Sequence, residues 1–450
     1  MYEDHVAMPL SKPETGDRQI WDPHERLSRD ELEALQLQRL VRQVQRVAHV
    51  PFYHKIFADL NLNSGDIRNL QDLRELPFTT KADLRGQHPL GFLAVPRSQV
   101  ARIHGSSGTT GKPTFVAYTA EDLETWSGLT ARFLVAGGLR PEHTVHVAFG
   151  YGLFTGGFGL HYGIERVGAA IVPAASGNTR RQIEIIEDLE SEVLVCTPSY
   201  ALTIAEAARE SGRDPRGLPL RYGHFGGEPW TEDMRREIEA ALDLQAFNNY
   251  GLSEIIGPGV SGECLIRNGM HLAEDHFLVE CLDPETLEPV PDGQPGELVI
   301  TTLTKQAMPL IRYRTRDIAT VDRRPCECGR TTARMSRVKG RSDDMLIIRG
   351  VNVFPSQIEE ALLRVEGTAP HYLIEVARPG TLDQVTVTVE LRSDHFSTDG
   401  PRMRRMQQRI SKAIQTVAGI RAAVVLLGPK SLERSTGKAK RVIDHRRING

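Results

Sequence analysis

His104-Gly105-Ser106-Ser107-Gly108-Thr109-Thr110-Gly111-Lys112-Pro113-Thr114 gathers three glycines, five hydroxyl side chains and one lysine into eleven residues. Such a run lets backbone N–H groups and hydroxyls converge on phosphate oxygens. It is not a Walker A loop, which needs glycine where Ser106 stands and Ser or Thr where Pro113 stands. Pro113 opposes an immediate helix, and Thr114-Phe115-Val116-Ala117-Tyr118-Thr119 reads as a strand, so the loop joins two strands. The alternative is a plain surface hairpin, although hairpin loops seldom place this many hydroxyls beside a lysine.

A chain of 450 residues exceeds one hydrophobic core, so two or three domains are expected. A hydrophobic content of 40% with 25% charged residues describes an ordinary globular protein. The net charge of -3 leaves no large basic field and argues against a nucleic acid partner. No apolar run approaches the roughly 18 residues of a membrane helix, and residues 1–19 lack the apolar core of a signal peptide. A cytoplasmic protein without membrane contact is the expectation. Five cysteines are too few and scattered for a disulfide scaffold, which leaves free thiols or a metal site.

Outward from the loop, residues 1–20 read as a loose polar arm. Ser28-Arg-Asp-Glu31 is a capping box that opens an amphipathic helix, with Pro51 at its end. Short elements follow at 70–76 and 81–84. From about 120 to 250, helical and apolar-strand patterns alternate, which implies parallel strands with helices on both faces. Helical signal nearly vanishes between 260 and 335, a β-rich stretch, and an α+β unit follows Arg341.

Further stretches carry chemistry. Gly226-Gly227-Glu228-Pro229 ends an apolar strand where a flat ring can lie against the backbone. Asn249-Tyr250-Gly251-Leu252-Ser253-Glu254 groups an aromatic ring, a hydroxyl and a carboxylate, and Asp317 in Arg312-Tyr-Arg-Thr-Arg-Asp317 suits the two hydroxyls of a ribose. Gly340-Arg341-Ser342-Asp343-Asp344, followed by Arg349-Gly350, has the character of a hinge. Lys438, in Arg434-Ser-Thr-Gly-Lys-Ala-Lys-Arg441, taken alone reads as part of a solvated basic tail.

Taken together and in this order, these stretches resemble the adenylate-forming superfamily of acyl-CoA synthetases and adenylation domains. Tyr151-Gly-Leu-Phe-Thr-Gly156, Gly227-Glu-Pro-Trp230, His271-Leu-Ala-Glu-Asp-His-Phe277 and Ile348-Arg-Gly-Val-Asn-Val-Phe-Pro355 are similar to the phenylacetate-CoA ligase family within it. The resemblance runs from about residue 21 to 443. It implies an α/β and α+β fold: an N-terminal domain over 1–342, with the β-rich subdomain at 260–335, and a small mobile C-terminal domain over 343–450.

The implied activity is an AMP-forming aryl acid:CoA ligase, in which the protein contributes positioning and charge stabilisation rather than a nucleophile. The implied ligands are ATP, Mg²⁺ and coenzyme A. By motif, Ser106, Ser107, Gly108, Thr109, Thr110, Gly111 and Lys112 hold the β- and γ-phosphates, and Glu254 binds Mg²⁺. Tyr250 and Gly251 flank adenine together with Gly227, Glu228 and Pro229; Asp317 takes the ribose, and Arg341 follows the nucleotide. Ser253 replaces the threonine usual before the glutamate. Lys438 reaches the α-phosphate, Asp343 is the hinge, and Gly350 lies beside the pantetheine tunnel. Catalytic roles thus fall to Lys438, Glu254 and Arg341. A homodimer is implied by likeness alone.

Cys264, His271, Cys326 and Cys328 form a Cys3His set suited to tetrahedral structural zinc, a site some family members carry; unliganded thiols are the alternative. The expected acyl pocket comprises Phe149, Gly150, Tyr151, Phe154, His224, Gly226, Asn249, Gly257 and Pro258. Phenylacetate-type relatives tend to have aliphatic residues where His224 and Asn249 stand. Two unpartnered buried polar groups would cost about 1–3 kcal/mol each, which favours a hydroxy- or amino-substituted benzoate or arylacetate unless the two groups satisfy each other. Unsubstituted phenylacetate, delivery to a carrier protein and a non-catalytic nucleotide-binding regulator remain alternatives. Glu433, where proline is common, is a second departure.

Overall fold

The computed structural model describes residues 20–106, 113–343, 345–349, 351–379, 382–432 and 441–446. Strands Arg102–Ser106 and Thr114–Tyr118 pair antiparallel, with Ser106 opposite Thr114, so the residues around the phosphate-type loop form a hairpin as expected. Ser107, Gly108, Thr109, Thr110, Gly111, Lys112, Gly350, Glu433 and Lys438 lie outside the described residues.

The central element is a nine-stranded mixed sheet. Its parallel half contains Ala170–Val172, Thr144–Val147, Val193–Cys196, Tyr222–Phe225 and Gln245–Leu252. Beyond Gln245–Leu252 the direction reverses: Ile256–Glu263, Met270–Leu272, Arg334–Met335 and Val321–Asp322 continue it antiparallel. The stretch 260–335 therefore does not make one sheet of its own. Part of it extends the central sheet, while Phe277–Leu282, Gly296–Thr302 and Tyr313–Ala319 form a four-stranded sheet with Gly340–Arg341.

Several helices on the parallel half begin at a side-chain cap or a proline that supplies their start. Thr119 accepts from the Asp122 N–H to open Ala120–Ala136, and Pro198 stands in the first turn of Pro198–Glu210. Pro51 does more than end the first helix, since with φ preset it also starts Pro51–Asp59. The Arg29–Val47 helix has the expected Ser28–Glu31 capping box.

Buried ion pairs pin the N-terminal segment. The Arg132 guanidinium lies 2.7 Å from Asp275 and 2.8 Å from Asp22, Arg29 is 2.9 Å from Glu274, and Arg330 bonds Glu25. Burial alone would raise the Asp275 carboxyl, yet Arg132 and then His276 hold it well below the usual carboxylate range.

The C-terminal unit packs Pro355–Leu363 and Gly400–Ala418 on a sheet ordered Ala423–Leu427, Gln384–Leu391, Thr368–Ala377, Val442–Asp444. It rests on an acidic ridge formed by Pro198–Glu210 and Glu232–Leu242. Lys430 pairs with Glu210 and Arg392 with Glu237, Arg364 lies 3.6 Å from Asp233, and His371 lies 3.8 Å from Glu206. No helix among the described residues is long and apolar enough to cross a membrane.

Arg132→Met is expected to cost about 3–5 kcal/mol in a urea titration, because it leaves the buried Asp275 charge uncompensated. The Asp275 contribution is present above the unfolded carboxylate pKa of about 4 and is lost as pH falls through the lower folded value. The stability gap between wild type and variant should therefore narrow in acid.

Candidate active site

A cleft of about 220 Å³ opens where Gln245–Leu252 ends, at the carboxyl edge of the parallel strands. Ser106, Asn249, Tyr250, Gly251, Ser253, Glu254, Asp317 and Arg341 all line it. The phenolic O–H of Tyr250 donates to Asp317 at 2.6 Å, Arg341 reaches Asp317 at 3.4 Å, and the same guanidinium grips Asp343 at 2.8 Å. This chain of contacts connects the end of the central strand with Asp343, where the C-terminal unit begins. Gly227, at φ +83, together with Glu228 and Pro229 forms another wall. The Glu228 carboxylate accepts the Ser199 N–H at 2.8 Å, so it also holds the start of Pro198–Glu210.

Tight backbone approach explains two glycines. A Cβ on Gly226 would lie 2.5 Å from the Asn249 side-chain oxygen, and one on Gly251 would lie 2.6 Å from the Ile256 carbonyl. Gly226 thus spaces two strands rather than lining the cleft, whereas Gly227 lines it.

Phe149, Phe154, Gly257 and Pro258 wall the apolar end, joined by Gly156 and Leu160 from the next helix. The Trp126 indole N–H donates to the Pro258 carbonyl at 2.6 Å and fixes that wall. Besides Gly226, three expected pocket residues sit elsewhere. Tyr151 turns its ring edge-on to Phe158 and its hydroxyl to His161, 3.2 Å away, while Gly150 lies behind it against Gly157. His224 is buried below the cleft, stacked at 5.5 Å on Phe247 and so close to Gly137 that a Cβ there would lie 2.5 Å from the imidazole. Strand alternation assigns its face correctly, but at this level of the sheet that face meets the end of Ala120–Ala136 rather than the pocket. Burial, with a smaller push from His143, lowers its pKa to about 3. Asn249 does line the cleft, and its amide donates to the Phe225 carbonyl at 2.9 Å.

Sequence reasoning missed three groups here. Lys81 projects into the cleft with its ammonium 3.0 Å from Glu254. Lys305, only 1% exposed, donates to the Glu254 and Ile255 carbonyls at 2.9 and 2.8 Å and lies over the Tyr118 ring. Burial lowers its pKa to about 8. Thr155 shares a 3.1 Å hydroxyl contact with Ser253. An isolated lysine or threonine gives no local signal, because its partner lies far away in sequence.

Away from the cleft, Cys264, His271, Cys326 and Cys328 converge with their ligand atoms within 4.8 Å of one another. His271 Nε2 is 3.4 Å from the Cys328 sulfur, while its Nδ1 is 3.2 Å from the Thr332 hydroxyl, which orients the ring. Soft donors in this arrangement fit tetrahedral zinc.

Residues 41–305 match the family model of the AMP-binding enzyme, and residues 350–446 match that of the AMP-binding enzyme C-terminal domain. The chain belongs to the AMP-binding enzymes. Within that family it falls among the phenylacetate-coenzyme A ligases, being 48% identical to that enzyme of Thermus thermophilus over 94% of this chain and 98% of the relative. It is accordingly an ATP-dependent acid–thiol ligase of the adenylate-forming class. The fold superposes on crystalline 2-hydroxyisobutyryl-CoA ligase in the postadenylation state, in complex with R3-HIB-AMP, at TM-score 0.92 and 29% identity, covering 99% and 96% of the two chains. Against the same ligase with 2-HIB-AMP and CoA in the thioesterification state, the TM-score is 0.72 at 30% identity over 99% and 95% of the chains. The arrangement of this AMP-binding enzyme thus follows the postadenylation form more closely.

His224→Leu is expected to leave the ranking of acid substrates unchanged. It should also remove a source of acid lability: a histidine buried neutral keeps its full contribution above pH 6.5 and loses it progressively towards about pH 3. Thermal melts of both proteins between pH 7 and pH 4 measure the difference.

Proposed function

We propose that the chain converts an arylacetic acid, with phenylacetate as the simplest case, to its coenzyme A thioester. The observation that carries this reading is the two-part cleft, with the Phe149, Phe154 and Pro258 walls at one end and Tyr250, Asp317 and Arg341 at the other. With His224 removed from the pocket, the argument for a polar ring substituent narrows to Asn249. One N–H of that amide is already paired with the Phe225 carbonyl, so the second reading, in which a hydroxy- or amino-substituted ring is bound, rests on the rest of its polar edge in the cleft.

In the first half-reaction a carboxylate oxygen of the acid attacks the α-phosphorus of ATP, and the bond to the β-phosphate oxygen breaks to release pyrophosphate. The coenzyme A thiol then loses its proton, attacks the acyl carbon and expels AMP. Tyr250, its hydroxyl tied to Asp317, presents a ring face for adenine beside Gly227, Glu228 and Pro229, and Asp317 faces the ribose. Ser106 with residues 107–112 would cradle the outer phosphates, and Lys438 would meet the charge that develops on the α-phosphate. Glu254 is a hard oxygen donor suited to Mg²⁺, which supplies charge neutralisation at the phosphates when bound. Asp343 serves as the hinge about which the C-terminal domain turns, bringing the Gly350 loop up for thioester formation.

Zinc held by Cys264, His271, Cys326 and Cys328 would be structural, because four protein donors leave no open position. Family likeness supports a homodimer, which light scattering reads directly.

A pyrophosphate-release screen of aryl acids, run with and without coenzyme A, tests the reading. Preference for phenylacetate supports the first substrate assignment, and preference for a substituted benzoate supports the second. Lys438→Ala should abolish adenylation yet spare thioester formation from a supplied acyl-adenylate; equal loss of both steps sinks its assigned role. Elemental analysis should find one zinc per chain, reduced in Cys328→Ser together with the melting temperature.

A further inference from the structure

Lys81 is placed with unusual care for a lysine of ordinary local sequence. Two residues before it, Thr79 is fully buried; its hydroxyl donates to the Ile311 carbonyl at 2.7 Å and contacts the Tyr53 hydroxyl at 2.7 Å. The backbone of Thr79 bonds Arg312 and Arg314 at 3.1 and 2.9 Å, so this segment runs along the strand that carries Asp317. Thr80 then caps the short helix Lys81–Gly86, and Lys81 takes its first position. A cation there opposes the helix dipole, which favours acidic groups at that end.

Stability does not account for this placement. The Lys81 side chain is 35% exposed, and a pair open to water on one side contributes little. What the pair does achieve is to set an ammonium against Glu254, the carboxylate at the phosphate end of the cleft, with Ser106 lining the same space. A divalent cation is a far stronger partner for that carboxylate than an ammonium ion. Once displaced, the lysine stands on a flexible four-carbon stem beside a polyanion, where it becomes a charge-assisted donor.

We infer that Lys81 is a phosphate-binding residue of the adenylation half-reaction, passing from Glu254 to the triphosphate of ATP when Mg²⁺ takes that carboxylate. The inference rests on the adenylation role proposed above for Glu254.

The test uses the full-length protein with Lys81→Met and Lys81→Arg. Calorimetric titration with ATP, in MgCl₂ and without an acid substrate, should show affinity weakened about tenfold or more in Lys81→Met and largely recovered in Lys81→Arg. The Mg²⁺ concentration giving half-maximal pyrophosphate release should fall in Lys81→Met, because Glu254 no longer has a competing cation. Adenylation should fall much more than thioester formation from supplied acyl-adenylate. Wild-type ATP affinity and adenylation in Lys81→Met would overturn the inference, as would failure of Lys81→Arg to recover binding while its melting temperature matches wild type. If wild type forms no adenylate with any acid, the functional reading fails, and the calorimetric comparison still decides on Lys81.

Discussion

The strand Gln245–Leu252 bonds a parallel neighbour on one edge and an antiparallel neighbour on the other, so the hydrogen-bond pattern must change across its width. A strand in that position can have helices packed around its parallel side while its end opens between two differently built halves of the sheet. Asn249, Tyr250, Gly251, Ser253 and Glu254 follow one another at that opening. The core supports them from beneath. Lys305 binds two consecutive carbonyls at Glu254 and Ile255, and the Tyr118 hydroxyl holds the Ser253 carbonyl at 3.1 Å. Burying a lone ammonium is costly; here two carbonyls and an aromatic face compensate it, and the backbone carrying the glutamate becomes rigid.

The two strands flanking the loop, Arg102–Ser106 and Thr114–Tyr118, were legible in the sequence because Pro113 and the apolar run after it are local signals. The zinc-type cluster was legible for a different reason: thiols and imidazole are chemically rare, so four of them invite grouping even when Cys264 and Cys326 are 62 positions apart. His224 shows where such reading stops. Alternation assigns a side chain to a face of the sheet, but the height at which the covering helix ends is a tertiary matter, and here Gly137 leaves just enough space for the imidazole. Lys81 and Lys305 were invisible because lysines are common and their shared neighbour Glu254 is 173 and 51 positions away. The division of 260–335 between two sheets was likewise hidden, since strand pairing is non-local while strand propensity is local.

The zinc-type cluster and the ion-pair network share elements. Arg330 touches both the Cys328 sulfur, at 3.6 Å, and Glu25, and Thr331 bonds the Leu27 carbonyl at 2.6 Å. Glu25 in turn accepts the Trp21 and Asp22 N–H groups at 3.0 and 2.9 Å. The cysteine loop is therefore a clasp that fastens the first described residues onto the antiparallel half of the sheet, away from the cleft at the end of Gln245–Leu252.

The acidic ridge beneath the C-terminal unit is a different kind of joint. Its pairs involve long side chains at least partly open to water, and Leu363 is the apolar residue of that unit packed into the cluster beneath. A greasy seam would have to be peeled open against the hydrophobic effect, whereas charges at a wet surface can exchange partners with water and salt at little cost. The ridge is therefore a seam held by screened charge pairs rather than by buried apolar surface. Its strength is set as much by the salt around the molecule as by the residues that form it.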